Sequence, residues 1–292
     1  MEKLLVVLNP IAGARKRINL EEKVREWFET SFDVHFLHWK SADFDITQAI
    51  KDRILNEKYS IVAAAGGDGT VNRTAKALVN TDIVFAILPL GSGNGLARHL
   101  KIPMKLEKAA KTIINGRTIN IDTCTLNNEN FFCTAGTGFD AHIGHLFATA
   151  GKRGFITYFK IVTSEFSNYK SKKYKIVIDG KEIEREAFLI TVANANQYGN
   201  NVFISPEADT TDGLMNLVIL KPFGLIHAPA LASRLFLKNF NKACKTENYK
   251  AKEIQIICSE KGAVHCDGEP GLVDEELTFK IIPSSLKVRI PR

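Results

Sequence analysis

The sequence lacks any apolar run of the roughly 20 residues that a membrane-spanning helix requires. The first apolar run, residues 4–8, is broken at once by Asn9 and Pro10, so we expect a first strand rather than a signal peptide. Hydrophobic residues make up 45% of the 292 positions and charged residues 24%, which is typical of a soluble globular protein. A chain of this length is sufficient for two domains that each bury a core.

Cysteine is scarce, and the common metal and nucleotide signatures are missing. The five cysteines form no C-x-x-C pair, which favours free thiols in a reducing cytosol over a disulfide framework. The histidines form no H-E-x-x-H or H-x-x-x-H set, which argues against a zinc enzyme. A G-x-x-x-x-G-K-[ST] run is also absent, so the chain is not a P-loop NTPase.

The net charge of +7 is suited to an acidic partner, such as a nucleic acid, an anionic membrane surface or a phosphorylated small molecule. The basic residues are not interleaved with aromatic platforms, so we expect no nucleic-acid partner. Two helical segments, residues 143–169 and 225–240, combine apolar side chains with basic ones. Such a segment could admit an acyl chain, rest on an anionic bilayer or pack against a sheet, and the sequence leaves these alternatives open.

The hydrophobic pattern divides the chain into two regions. The first region alternates short apolar runs with helical patterns, which predicts a parallel sheet flanked by helices. From about residue 119, strand-like runs follow one another, and Asp179-Gly180 joins two of them as a tight hairpin. We therefore predict an α/β domain over residues 1–121 and a mostly antiparallel β domain with helical insertions over residues 122–292. The last strand could also return to the first domain and pair with its sheet.

Two glycine-rich turns each follow an apolar run, Gly66-Gly67-Asp68-Gly69-Thr70 and Gly91-Ser92-Gly93-Asn94-Gly95. A strand that ends in glycines before a helix presents bare backbone N–H groups, which bind phosphate well. Asp68 beside these donors could hold the Mg²⁺ of a nucleoside triphosphate, or it could cap the helix that starts at Thr70. Asn9 ends the first strand in a similar turn, so we predict three turns around one polyphosphate.

The combination of motifs resembles a known family. Asn9-Pro10-x-x-Gly13, Gly66-Gly67-Asp68-Gly69-Thr70-x-Asn72 and Leu88-Pro89-Leu90-Gly91-Ser92-Gly93-Asn94 occur in this order. They resemble the catalytic domain of the diacylglycerol kinase and sphingosine kinase family, in its bacterial soluble lipid kinase branch. Asp122, Asp212-Gly213-Leu214 and Cys266-Asp267-Gly268-Glu269 extend the resemblance over nearly the whole chain.

The resemblance implies an NAD-kinase-like first domain that binds ATP and a β-sandwich second domain that binds the lipid. It implies a kinase that uses ATP and Mg²⁺ to phosphorylate a lipid hydroxyl, as in diacylglycerol or a sphingoid base. Glu269 would be the general base, Asp68 would organise the catalytic Mg²⁺, and Asp122 would lie near the acceptor. A structural Mg²⁺ would bind Asp209, Asp212 and the carbonyl of Leu214. The implied ATP contacts are Asn9, Pro10, Ile11, Ala12, Gly13, Ser41, Gly66, Gly67, Asp68, Gly69, Thr70, Val71, Asn72 and Ser92.

Two of these motifs also have a purely structural interpretation. Asp267-Gly268-Glu269 could be an ordinary hairpin turn, and residues 209–214 could be an Asp-capped loop before a strand. The sequence departs from the family at Arg73, where a glutamate is usual. Rival functions are an NAD kinase-like enzyme and a nucleotide-binding regulator without catalysis. We expect a cytoplasmic protein of phospholipid biosynthesis that associates peripherally with membranes, and a homodimer stays open.

Overall fold

A computed structural model describes residues 1–9, 19–39, 41, 44–149, 155–166, 168–258, 261–273 and 275–292. The chain divides into two compact units. The first unit contains residues 1–123 and 283–292, and the second unit contains residues 124–282.

The first unit is built on a parallel sheet with helices between its strands, as the sequence predicts. The sheet order is β2-β1-β3-β4, followed by the last part of β16, and every pairing is parallel. All six residues of β3 are buried, because helices cover both faces of a parallel sheet. The elements are β1 (Glu2–Leu8), α1 (Leu20–Phe28), β2 (Phe32–His38), α2 (Ile46–Asn56), β3 (Ile61–Gly66), α3 (Asp68–Leu78), β4 (Val84–Pro89), α4 (Gly95–His99), α5 (Leu106–Asn115), β5 (Arg117–Leu126) and β16 (Glu276–Ile290).

The second unit contains two antiparallel layers. One has the order β12-β11-β10-β7-β14-β15, and the other has the order β16-β13-β8-β9, to which β16 contributes its first part. Apolar side chains from both layers form one buried cluster, which is the packing of a β-sandwich. The elements are β6 (Glu129–Phe131), β7 (Thr134–Gly138), α6 (Phe139–Thr149), α7 (Phe155–Glu165), β8 (Lys172–Ile178), β9 (Lys181–Ala187), β10 (Leu189–Ala193), β11 (Met215–Leu220), α8 (Ala228–Phe236), β12 (Thr246–Ala251), β13 (Glu253–Cys258), β14 (Gly262–Cys266) and β15 (Glu269–Val273).

The predicted hairpin at Asp179-Gly180 is confirmed. The two residues have φ angles of 45° and 83°, the left-handed values of a type I′ turn, and they join β8 to β9.

The two helical insertions differ in how they use their apolar residues. In α7, Ile161 and Val162 pack against the cluster that contains Phe139 and Phe188, so these side chains belong to the core. In α8, Leu231 packs against the same cluster. Other apolar side chains in and beside α8 are exposed.

Strand β16 is longer than the sequence predicts. The pattern indicates a strand only as far as residue 282, because Pro283-Ser284-Ser285 is typical of a turn. The structure continues the strand through this segment to Ile290. Ser284 takes the irregular conformation, with a φ of 51°, and its N–H donates to the carboxylate of Asp122 at 2.7 Å. A side chain from another strand thus satisfies the backbone where the strand is distorted.

Candidate active site

The strand order of the first unit indicates the edge of its sheet at which a ligand is expected. The order reverses between β1 and β3, and ligands of such sheets bind beyond the carboxyl ends of the strands at this point. Asn9 follows β1, and its backbone N–H donates to the carbonyl of Ala65 in β3 at 3.3 Å. The side-chain amide of Asn9 donates to the hydroxyl of Thr70 at 3.2 Å. The first turn therefore contacts the second; Pro10, Ile11, Ala12 and Gly13 lie outside the described residues.

The two glycine-rich turns are in direct backbone contact. The N–H of Leu90 donates to the carbonyl of Gly66 at 2.8 Å. A Cβ atom on Gly91 would lie only 2.7 Å from the Cα of Gly67, and one on Gly66 would lie 2.2 Å from the hydroxyl oxygen of Thr70. A side chain on Gly91 would force the turns apart, and one on Gly66 would clash with Thr70 of its own turn, which is the physical reason for glycine at both positions.

Asp68 joins the two turns through its side chain. Its two carboxylate oxygens accept hydrogen bonds from the backbone N–H groups of Asn94 at 2.9 Å and Gly95 at 2.8 Å. These groups stand at the start of α4, so Asp68 caps a different helix from the one predicted as the alternative. Asp68 is itself the first residue of α3, whose cap position is Gly67. A Cβ atom on Gly93 would lie 2.6 Å from the Asp68 carboxylate.

The residues of the two turns divide into exposed and buried ones. Gly69 and Ser92 are exposed, so a ligand can reach both. Thr70, Val71 and Asn72 are buried, and any contact from them would come through the backbone. The first N–H groups of α3 have no partner within the helix and carry the positive end of its dipole, which suits an anion.

Ser41 lies beside an aromatic residue that the sequence analysis missed. The indole N–H of Trp39 donates to the carbonyl of Ser41 at 2.7 Å, and the backbone N–H of Trp39 donates to Leu8 at the end of β1. The guanidinium of Arg73 lies 5.5 Å from the centre of the Trp39 ring, within cation–π distance. Arg73, the residue that departs from the family, therefore lies over the ring of Trp39, and the backbone of Trp39 is hydrogen-bonded to the end of β1.

Asp122 is only 2% exposed. Its hydrogen bond with Ser284 fixes the distortion of β16 described above. The structure thus gives this carboxylate a structural partner within the first unit.

Glu269 follows a hairpin turn that a neighbouring acid holds in place. Asp267 and Gly268 have φ angles of 50° and 81° and join β14 to β15. The carboxylate of Asp267 accepts three backbone N–H bonds, from Phe132 at 2.8 Å, Cys133 at 2.7 Å and Thr134 at 3.0 Å. The hairpin geometry considered as the alternative is real. Glu269 itself is exposed at the start of β15.

A buried polar cluster lies next to this hairpin in sequence and was not predicted. The Asp140 carboxylate accepts from Tyr198 at 2.8 Å and Thr191 at 3.0 Å, and His265 Nε2 lies 3.1 Å away. Burial alone would raise the pKa of Asp140, but the interaction with His265 and the hydrogen bonds from Tyr198 and Thr191 hold this pKa below its usual value. His265 belongs to β14, so the cluster fixes the strand that leads into the Asp267 turn.

The predicted structural metal site contains an ammonium group. Lys250 Nζ lies 2.7 Å from one carboxylate oxygen of Asp212, and the other oxygen accepts the N–H of Leu214 at 3.1 Å. One oxygen of Asp209 accepts both the N–H and the hydroxyl of Thr211. Within the described ranges, no three acidic, histidine or cysteine residues group as metal ligands. As arranged, this loop does not fit Mg²⁺, because the lysine already supplies the positive charge.

Asp68 fits a metal better. Each of its oxygens accepts one backbone bond, and a carboxylate oxygen has a second lone pair for a metal-bound water. It also stands beside the N–H groups that suit phosphate.

Two family models together match most of the chain. The model described as "Diacylglycerol kinase catalytic domain" matches residues 3–126, and "YegS C-terminal NAD kinase beta sandwich-like domain" matches residues 133–290. The chain belongs to the diacylglycerol kinase family. The predicted fold class, a parallel α/β region followed by a β-sandwich, is confirmed for this family member.

Curated relatives of this lipid kinase chain cover most of its length. "Diacylglycerol kinase" of Bacillus subtilis (strain 168) is 28% identical over 276 residues, which span 93% of this chain and 91% of the relative. "Probable lipid kinase YegS-like" of Yersinia pestis (strain Pestoides F) is 30% identical over 239 residues, which span 80% and 79%. The lipid kinase family predicted from the motifs is therefore confirmed.

Solved structures agree with this assignment. A crystal structure of a putative diacylglycerol kinase from Bacillus anthracis str. Sterne is 25% identical, with a TM-score of 0.82 over 99% of this chain and 97% of that one. Among the described residues of this diacylglycerol kinase homologue, no helix is long and apolar enough to cross a membrane.

Proposed function

We propose that the protein transfers the γ-phosphoryl group of ATP to the hydroxyl of a lipid such as diacylglycerol or a sphingoid base. The observation that carries the proposal is the contact between the two glycine-rich turns through Asp68, at the edge where a sheet of this order binds ligands. In a chain of the diacylglycerol kinase family, this arrangement supports a polyphosphate site. The names of the curated relatives support a lipid acceptor.

In the proposed site, the polyphosphate lies against Asn9, residues 66–72 and Ser92, with Ser41 and Trp39 at one side. The backbone N–H groups at the start of α3 would bind phosphate oxygens. Asp68 would position a Mg²⁺ ion through water, and such an ion neutralises phosphate charge during transfer. We assign no part of the reaction to the loop of Asp209, Asp212 and Leu214.

Glu269 is proposed as the general base that accepts the proton of the lipid hydroxyl. Its exposure at the start of β15 leaves it accessible to an acceptor, and the three bonds of Asp267 hold the turn before it. Asp122 is proposed to act near the acceptor through the backbone that it fixes.

We also propose that residues 1–121 form the nucleotide-binding domain and that residues 122–292 form the lipid domain. The enzyme would work peripherally at a membrane, in phospholipid biosynthesis.

The test is the Glu269→Gln variant, which keeps the size of the side chain and removes the base. We expect lipid phosphorylation to fall by about 10²–10⁴-fold, the usual contribution of general base catalysis, while ATP affinity changes little. Glu186→Gln in β9 is a matched control, because Glu186 is also an exposed strand glutamate of the second unit.

Products are identified by mass spectrometry after a total lipid extract is incubated with ATP and Mg²⁺. Retention of most of the rate by Glu269→Gln would show that the assigned base is wrong. A phosphorylated dinucleotide as the sole product of an acceptor panel would instead support the NAD kinase-like alternative.

A further inference from the structure

Helix α8, the 3-10 turn before it (Leu225–His227) and the residue after it carry an exposed apolar surface. Leu225, Ile226, Phe236 and Leu237, here called the α8 apolar surface, are 66%, 86%, 55% and 67% exposed. The only other large hydrophobic side chains exposed in the described part of the chain are Met1 and Leu55. A concentration of exposed apolar residues in one short segment indicates a contact surface rather than chance exposure.

The α8 apolar surface is held outward by packing on its other side. Leu231 and Leu235 contact the buried cluster of the second unit. The carbonyl of Leu235 accepts a hydrogen bond from Phe203 at 2.8 Å. The helix cannot rotate to bury Phe236 without removing these contacts, so the exposure is built into the fold.

The charge of the same segment has one sign. Residues 221–245 contain five lysines and arginines and no aspartate or glutamate. The nearest acidic partners that the structure shows come from other elements. Glu247 pairs with Lys221, and Glu207 accepts from Asn241. Lys238 lies over the ring of Phe203 at 4.6 Å, beside the apolar surface.

Apolar side chains surrounded by cations are complementary to an anionic bilayer. The side chains can enter the boundary between headgroups and acyl chains while lysine and arginine contact lipid phosphates. A second copy of the chain is a poorer occupant, because two segments with this charge would repel each other. Four side chains also present much less than the roughly 800 Å² per partner of a standard protein interface.

We propose that the α8 apolar surface inserts into anionic membranes, with Arg234, Lys238, Lys242 and Lys245 contacting the headgroups. The proposal rests on the peripheral membrane association proposed above and names the surface responsible. It can be tested apart from the kinase reaction, since binding to a bilayer can be measured without nucleotide or turnover. It assigns membrane contact to α8, and it leaves Ile161 and Val162 of α7 in the core.

The test is sedimentation of the full chain with vesicles of phosphatidylcholine alone or mixed with phosphatidylglycerol. We expect binding to the mixed vesicles that weakens with added salt. The double variant Ile226→Asp with Leu237→Asp should reduce the partition coefficient by at least tenfold. Leu55→Asp in α2 is the matched control, because Leu55 is 82% exposed and lies in the first unit. The control should bind as the wild type does.

Three results would overturn the proposal: no binding of the wild type, equal binding by the double variant, or equal loss in the Leu55 control. Dissociation of a dimer by the double variant in light scattering, without vesicle binding, would assign the surface to a second copy. Circular dichroism checks that the variants fold. Turnover on detergent-dispersed lipid tests the kinase proposal separately, and the double variant should retain it.

Discussion

Two turns, one in each unit, place an aspartate next to a glycine and use its carboxylate in the same way. Asp68 accepts backbone N–H groups from Asn94 and Gly95, and Asp267 accepts them from three residues at 132–134. In both cases the carboxylate fixes a segment distant in sequence. The difference is in which acid is expected to act: Asp68 itself in the first turn, and Glu269, the exposed residue after the turn, in the second.

Under the proposed roles, the first turn combines a structural and a chemical role in one aspartate, while the second turn separates them between Asp267 and Glu269. Removal of Asp68 is expected to damage both the turn and the reaction. Removal of Asp267 should damage the turn, and the reaction only through the position of Glu269.

The largest effect is expected from Asp68→Ala. Two hydrogen bonds to a charged acceptor are lost, each worth about 1.5–3 kcal/mol, and lipid phosphorylation should fall more than about 100-fold. Asp68→Asn separates the two roles, because its amide oxygen can still accept one backbone bond. We expect Asn to recover part of the stability in urea unfolding but none of the activity. Recovery of most of the kcat by Asn would show that the negative charge is not needed.

Asp267→Ala should lower the free energy of unfolding by about 3 kcal/mol, since three backbone donors lose a charged acceptor. Asp267→Asn should lower it by about half as much. Asp179→Ala is a matched control, because Asp179 also precedes a hairpin glycine and accepts two N–H bonds, from Lys252 and Glu253, but at an exposed position. We expect kcat to fall in Asp267→Ala with the KM for ATP unchanged. An increase in that KM would contradict the separation of roles.

A smaller effect is expected at the loop of Asp209 and Asp212, where the ammonium of Lys250 supplements the backbone donor of Leu214 at Asp212. Lys250→Met removes the ammonium beside Asp212 and should destabilise the protein by about 1 kcal/mol, as for a partly exposed ion pair. Without that charge, millimolar Mg²⁺ should raise the melting temperature of the variant and EDTA should reverse the increase. Lys280→Met, which breaks the exposed pair with Glu253, is the control. A wild-type protein that EDTA destabilises would show that the loop does bind a metal.

The fold class could be predicted because its signals are local. Short apolar runs with helical patterns between them identify the parallel sheet, and consecutive strand patterns identify the sandwich. The exact course of β16 could not be predicted, because the signal at Pro283 is that of a turn and the compensation comes from Asp122, 162 residues away in sequence. The boundary at residues 121–122 stays a prediction.

The motifs predict which residues the candidate site contains, but they do not predict the hydrogen bonds between those residues. The glycines and Asp68 are visible in the motifs, but the bonds from Asp68 to the second turn are between residues 26 and 27 positions apart. The cluster of Asp140 with His265 spans 125 positions, so no local pattern in the sequence identifies it. Periodicity also could not separate α7 from α8, since both are amphipathic and only packing decides which side chains are buried.

The order of the chain has a consequence for synthesis. The parallel sheet receives its strand beside β4 from residues that follow the entire sandwich, since β16 begins in the second unit and ends in the first. During translation, the β4 edge of the first unit stays uncovered until residues near 288 have left the ribosome. The sandwich is an insertion that can complete its own hydrogen bonding earlier. We expect nascent chains released shortly before this point to expose β4 and to depend on chaperones.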